Sequence, residues 1–198
     1  MKSYQIVEEF EKVIAEYAGA KYGVAVDSCC NALLLSCKYL KVKTVQIPKF
    51  TYPGVACAII NAGGKVTFRD TEWQGRYMLY PYNIYDSALR FRELMYVPET
   101  LYCLSFHAKK HLPIGRGGMI LTDDKEARDW LRKARFDGRD QVPLDKDNIT
   151  MTGWNCYLTP EQAARGLTLF DIGRNKFYDD IDSTKQSYPD LSKIEAYQ

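Results

Sequence analysis

The chain is 198 residues long, enough for one well-filled core or for one domain with a small appendage. Its 46% hydrophobic and 26% charged content is that of an ordinary globular protein, and a formal net charge of +2 without blocks of like charge argues against a nucleic-acid-binding surface. No apolar run approaches the roughly 18 residues that span a bilayer, and the opening MKSYQIVEEFEKVIAEY lacks the apolar stretch and cleavage site of a signal peptide, so a cytoplasmic protein is expected.

In chain order, Ile6, Val7, Phe10, Val13, Ile14 and Tyr17 recur at helical spacing, which predicts an amphipathic helix stopped near Gly19. Tyr22 to Val26 is a short apolar strand, after which Asp27-Ser28 can cap a helix from Asn31 to about Leu40. Residues 45–48 read as a strand, and a helix begins near Pro53 and closes at Gly63-Gly64. A third strand covers 65–70. Such alternation, with strands that are continuously apolar, predicts an α/β fold with a mostly parallel sheet flanked by helices.

The stretch from Thr71 to Thr100 has few helical repeats, and within it YNIYDSA reads as a strand ending in Asp86. Residues 101–106 and 117–122 are buried strands expected to lie side by side, as in a hairpin, followed by a charged helix over Glu126 to Phe136. A polar loop over 139–150 leads to a helix opened by Thr159-Pro160-Glu161, and the last twenty or so residues are polar and weakly patterned. The 15 tyrosines, many between Tyr77 and Tyr102, read as aromatic packing in a core or interface. The six cysteines have no metal-clip spacing, so reduced, mostly buried thiols are expected and no metal site.

One segment can carry covalent chemistry. In SFHAKKHLPIGRGGMILT (105–122) a lysine lies just beyond a buried strand and a glycine-rich turn follows it. A lysine that is to act as a nucleophile must be partly desolvated, so that its neutral form is reachable near neutral pH. Taken alone, such a lysine is more often a solvated strand cap.

Ser105-Phe106-His107, then Lys110, then Gly115, Gly117 and Gly118 resemble the signature of the DegT/DnrJ/StrS family of sugar aminotransferases, which have the fold-type I architecture and use pyridoxal 5'-phosphate (PLP). The match assigns the cofactor linkage to Lys110 rather than Lys109, and Arg116 stands where the family has an acidic residue. VDSCCNALLLSC resembles the family's phosphate loop, with Ser28 retained and Cys29 and Cys30 in place of Gly and Thr. Backbone N–H groups at a helix N-terminus can hold a phosphate whatever the side chains are. By the same resemblance Tyr52 stacks on the cofactor ring, Asp86 faces its pyridinium nitrogen, and Ser105 binds its phosphate. Leu89 stands where a polar residue is common, and Tyr157 replaces an arginine. Asn155 matches an asparagine that reaches the partner subunit's cofactor phosphate, which implies a homodimer with shared active sites.

The resemblance covers about residues 5 to 176 and implies amino-group transfer from an amino acid, glutamate by likeness, to a nucleotide-linked keto-sugar, with Lys110 and Asp86 catalytic. It also implies that residues 1–180 form a shortened PLP-binding large domain, that a helix-and-strand unit before Asp86 is missing, and that a polar tail, 181–198, stands where relatives continue into a small domain. These departures leave a rival reading, a non-catalytic member acting as a PLP-binding or partner subunit.

Overall fold

The computed structural model describes residues 4–177 and 179–197; the first three residues of the N-terminal segment and the last of the tail lie outside the described residues. Among the described residues five α-helices and seven strands follow one another: α1 (Gln5–Ala18), β1 (Tyr22–Val26), α2 (Cys29–Tyr39), β2 (Thr44–Pro48), α3 (Pro53–Asn61), β3 (Lys65–Arg69), β4 (Tyr77–Met78), β5 (Ile84–Asp86), β6 (Leu101–Ser105), β7 (Gly118–Thr122), α4 (Lys125–Ala134) and α5 (Pro160–Gly173).

Local chemistry sets the helix ends. Gly19 ends α1 in the left-handed conformation, φ 82°, which a side chain would oppose. Ser28 accepts a hydrogen bond from Asn31 N and opens α2. Asp124 caps α4, and Thr159 with Gln162 forms a reciprocal capping box at α5.

The strands form a five-stranded sheet in the order β1-β7-β6-β5-β4 and a parallel pair, β2-β3. Gln46 of β2 pairs with Tyr80 just beyond β4, through Gln46 N to Tyr80 O at 2.8 Å and Tyr80 N to Gln46 O at 3.1 Å, which joins the two. Where mostly parallel pairing is expected, the sheet is mixed: only β5–β6 and β2–β3 pair in parallel, and β7 and β4 run against their neighbours. A continuous apolar run reports burial on both faces, which β6 and β7 have, and it carries no information about strand direction.

Strand residues alternate between two cores. Val24, Val26, Cys103 and Ile120 pack with α2, α3 and α4, whereas Ala25, Tyr102, Leu104, Met119 and Leu121 pack with α1 and α5. The result is a three-layer α/β/α arrangement. The segment between Asp70 and Asp86, where a helix-and-strand unit is read as missing, instead forms β4, which pairs antiparallel with β5 in the register Tyr77 to Asp86. Nor is the tail loose: Leu191 is fully buried and its N–H bonds to Lys49 O at 2.9 Å.

Candidate active site

Because β1, β5 and β6 point the same way, and β2 joins them through Tyr80, the C-terminal ends of four strands meet along one edge. In an open α/β sheet this edge is where ligands bind. A cavity of about 480 Å³ lies there, and its lining includes Ser28, Cys29, Cys30, Tyr52, Asp86, Ser105 and Lys110. The volume is that of a small-molecule or cofactor site.

Asp86 ends β5, opposite Cys103 of β6. It is 4% exposed and accepts hydrogen bonds from Tyr77 Oη at 2.9 Å and Ala88 N at 2.9 Å, with Cys29 Sγ at 4.0 Å. Burial pushes its carboxyl above the ordinary aspartate value, against the opposing pull of the Ala88 N–H, the Tyr77 hydroxyl and the Lys110 charge. Tyr77 is itself held by Thr51, whose Oγ1 lies 2.7 Å from Tyr77 Oη.

Lys110 sits on the loop between β6 and β7. That loop is closed by Phe106 N to Gly117 O at 2.9 Å and Gly115 N to Phe106 O at 3.2 Å, with a tight turn from Lys110 N to His107 O at 2.9 Å. The side chain is half-buried, and burial lowers its ammonium below the ordinary lysine range although Asp86 opposes the change. Lys109 is exposed. The amine and the carboxyl therefore share one cavity and act on one another electrostatically.

Ser28 begins α2, and its first turn faces the cavity. Gly118 is needed beneath it, because a Cβ there would fall 2.5 Å from the Ser28 carbonyl carbon and 2.7 Å from Cys29 N. Burial holds the Cys29 thiol well above its usual range and pushes Cys30 up to about 11, so neither presents a negative charge at neutral pH. Tyr52 precedes α3 and is 56% exposed on the rim, its ring unpaired with any other ring among the described residues. Ser105 Oγ accepts from His107 N at 3.4 Å.

Asn155 is not brought to this cavity. It lies on the surface, pairs with Phe136 in an isolated bridge, and donates from Nδ2 to Asp137 Oδ2 at 3.0 Å. Tyr157 packs its ring on Tyr4 and Phe136 rather than facing the cavity. Leu89 is buried on the cavity wall and supplies apolar surface there. Trp73 and Gln186 to Pro189 of the tail, which the sequence did not mark, also line the cavity, as does Arg116, the departure from the family's acidic residue, whose guanidinium pairs with Asp27 at 2.7 Å. Among the described residues no group of three or more His, Cys, Asp or Glu side chains could hold a metal, and no helix is long and apolar enough to cross a membrane.

Fold and family model together place the chain among the aminotransferases. The chain belongs to the DegT/DnrJ/EryC1/StrS aminotransferase family, whose model matches residues 1–85 and 98–172. It is 24% identical over 213 residues to the spore coat polysaccharide biosynthesis protein SpsC of Bacillus subtilis, covering 84% of this chain and 54% of that protein. It is 25% identical over 207 residues to the UDP-4-amino-4,6-dideoxy-N-acetyl-beta-L-altrosamine transaminase of Campylobacter jejuni, covering 81% and 55%. The chain thus spans about half the length of the curated relatives it matches. Among solved structures, AtS13 from Actinomadura melliaura superposes with a TM-score of 0.73 at 21% identity, over 84% of this chain and 59% of that one.

The family's aminotransferases depend on PLP. The residues present fit that cofactor: the half-buried amine shares its cavity with a buried carboxyl, a helix N-terminus stands at one side with uncharged thiols, and an unpaired aromatic ring stands on the rim.

Proposed function

We propose that this chain binds PLP through Lys110 and serves as an aminotransferase that moves an amino group from an amino acid, glutamate by likeness, to a nucleotide-linked keto-sugar. The observation that carries this reading is the Lys110 amine in one cavity with the Asp86 carboxyl, at the strand edge where such a ligand binds. PLP supplies an electron sink for a carbanion next to the transferred nitrogen.

The chain's own residues divide the remaining work. Desolvation makes the neutral Lys110 amine accessible, so it can attach the cofactor and, when free, carry the proton between the two carbons involved. Asp86 would face positive charge on the cofactor, and the Tyr77 hydroxyl and the Ala88 N–H favour its ionised form against the burial that raises its pKa. The first turn of α2 and Ser105 would hold the cofactor's phosphate and so orient it beside Lys110. Tyr52, on the cavity rim, would cover the cofactor's aromatic face.

Residues 1–180 are proposed as the PLP-binding large domain. Asn155, surface-exposed and away from the cavity, suits a contact to the partner's cofactor phosphate in a homodimer. A cytoplasmic location is part of this proposal; among the described residues no helix is long and apolar enough to cross a membrane. Leu89 on the cavity wall favours a second reading, a PLP-binding subunit without turnover.

Purified protein given PLP should turn yellow, and borohydride should fix the label on Lys110. Lys110→Ala should abolish that link, and a mutant that still labels at the cavity would defeat the assignment. Adding L-glutamate separates the two readings: loss of the visible band supports an enzyme, and an unchanged band with every amino donor supports the non-catalytic subunit.

A further inference from the structure

Beyond α5 the chain doubles back across the open side of the cavity, outside the residues matched to the family. It is pinned at both ends. On the near side, His111 Nε2 lies 2.7 Å from Asp179 O, and Arg90 grips Asp180 through Nε at 2.8 Å and Nη2 at 2.5 Å. Ile181 N bonds to Leu89 O at 2.8 Å, and the Ser183 hydroxyl bonds to Trp73 O. On the far side Asp190 bridges Phe50 and Leu191 is buried. Between these anchors Gln186, Ser187, Tyr188 and Pro189 line the cavity, so the strap is a fixed wall.

Tyr188 is the chemical group on that wall. Its ring stacks on Trp73, with centroids 6.2 Å apart and planes at 19°, and Trp73 is held by Nε1 to Phe50 O at 3.0 Å. Its hydroxyl makes no hydrogen bond to any described residue, although the side chain is half-buried. The hydroxyl is not among the fully buried side-chain atoms left without a partner, so water reaches it, and on a cavity wall a ligand oxygen can take that water's place. The cavity lining carries three basic side chains, Lys109, Lys110 and Arg116, against two carboxylates, Asp27, which is paired with Arg116 at 2.7 Å, and Asp86, so positive charge is in excess by one. Hydrogen-bond donation and positive charge together select an anion.

Resting on the reading of this cavity as a PLP aminotransferase site, we propose that Tyr188 is a substrate-positioning residue whose hydroxyl donates a hydrogen bond to a carboxylate of the amino-acid donor entering beside Lys110. Burial and the neighbouring Asp86 and Tyr52 push its phenol up to about 12, so the hydroxyl keeps its proton and stays a donor at any working pH. The aromatic stack holds the ring so that the hydroxyl alone is lost in Tyr188→Phe.

The test compares the unaltered holoprotein with Tyr188→Phe, using L-glutamate and hydroxylamine as amine probes. Tyr188→Phe should keep borohydride labelling of Lys110 and should raise the glutamate concentration for half-maximal conversion of the visible band about tenfold, the worth of one charge-assisted hydrogen bond. Its maximal rate should change little. Hydroxylamine, which has no carboxylate, should strip the cofactor at the same rate from both proteins. An unchanged glutamate curve would overturn the proposal, as would loss of labelling in Tyr188→Phe, an equal change with hydroxylamine, or no conversion of the unaltered holoprotein by glutamate. Failure of the unaltered chain to label at all would instead overturn the functional reading itself, and this proposal with it.

Discussion

Tyr77 donates from Oη to Asp86 Oδ2 at 2.9 Å, and the register of β4 on β5 sets the two residues directly opposite one another. The carboxyl that ends β5 is thereby tied to a two-residue strand in the segment that departs from the family's expected length. Removing the hydroxyl in Tyr77→Phe leaves a buried carboxylate short of a donor and Thr51 Oγ1 without its 2.7 Å partner. The cost should be about 1.5–3 kcal/mol of stability by urea unfolding. Because the Tyr77 hydroxyl lowers the Asp86 carboxyl, its loss raises that pKa further, and the acid limb of the glutamate-driven spectral change should move to higher pH. An unmoved limb would mean that Asp86 ionisation does not limit the reaction.

Lys110 offers a pH test of opposite sign. Burial lowers its ammonium and Asp86 opposes that effect. Asp86→Asn removes the larger of the effects that oppose desolvation, so the neutral amine should be reached at lower pH. The rate of borohydride-fixed PLP attachment, which needs the neutral amine, should rise with pH in both proteins, with the midpoint lower in Asp86→Asn. Turnover should nevertheless fall, by about 100-fold or more, since a charged group acting on the reaction is gone. A midpoint that stays put would show that the two groups do not sense one another.

Much of this was legible in advance, and the rest was hidden for physical reasons. The helices announced themselves by period and cap, as in Ser28 before α2 and Thr159 before α5. The cavity-lining residues Ser28, Tyr52, Asp86, Ser105 and Lys110 were marked by the resemblance to the family's motifs, since their position at strand ends and caps alone does not single them out. The hairpin-like pairing of LYCLS with GMILT was legible and is the antiparallel β6–β7 pair, whereas the direction of YGVAV against β7 was not, because such an apolar run looks alike in a parallel or antiparallel sheet. Nor was β4, since two residues cannot show a period, and with it went Tyr77 as the partner of Asp86. Tyr188 was hidden because its strap is fixed by single distant anchors, Asp180 on Arg90 and Leu191 in the core, which leave no pattern along the chain.

Gly118 tests the phosphate site without touching a polar side chain. In Gly118→Ala the new methyl would meet the Ser28 carbonyl carbon at 2.5 Å and its oxygen at 2.6 Å, both backbone atoms, so the start of α2 must shift. Overpacking of this kind costs about 1–3 kcal/mol, readable as a lower urea midpoint. PLP affinity, followed by titrating the visible band, should fall with it, whereas the pH midpoint of attachment should hold because Lys110 and Asp86 are undisturbed. Wild-type affinity in a destabilised Gly118→Ala would remove the α2 terminus from the phosphate site.

The last prediction concerns the frame that holds β1, the strand leading into that site. Arg135, 1% exposed at the end of α4, donates from Nη1 to Glu11 Oε1 and to Ala25 O, while Ala25 N donates to the same Glu11 oxygen at 2.9 Å. One buried ion pair thus joins α1, β1 and α4. Two charges withdrawn from water gain little net stability from each other, but a single one left behind is costly. Glu11→Gln or Arg135→Met alone should therefore lose about 3–5 kcal/mol in urea unfolding, and the double replacement should lose much less than the sum. Additive losses would mean that the two side chains act independently, with β1 held by its pairing to β7 and its packing alone.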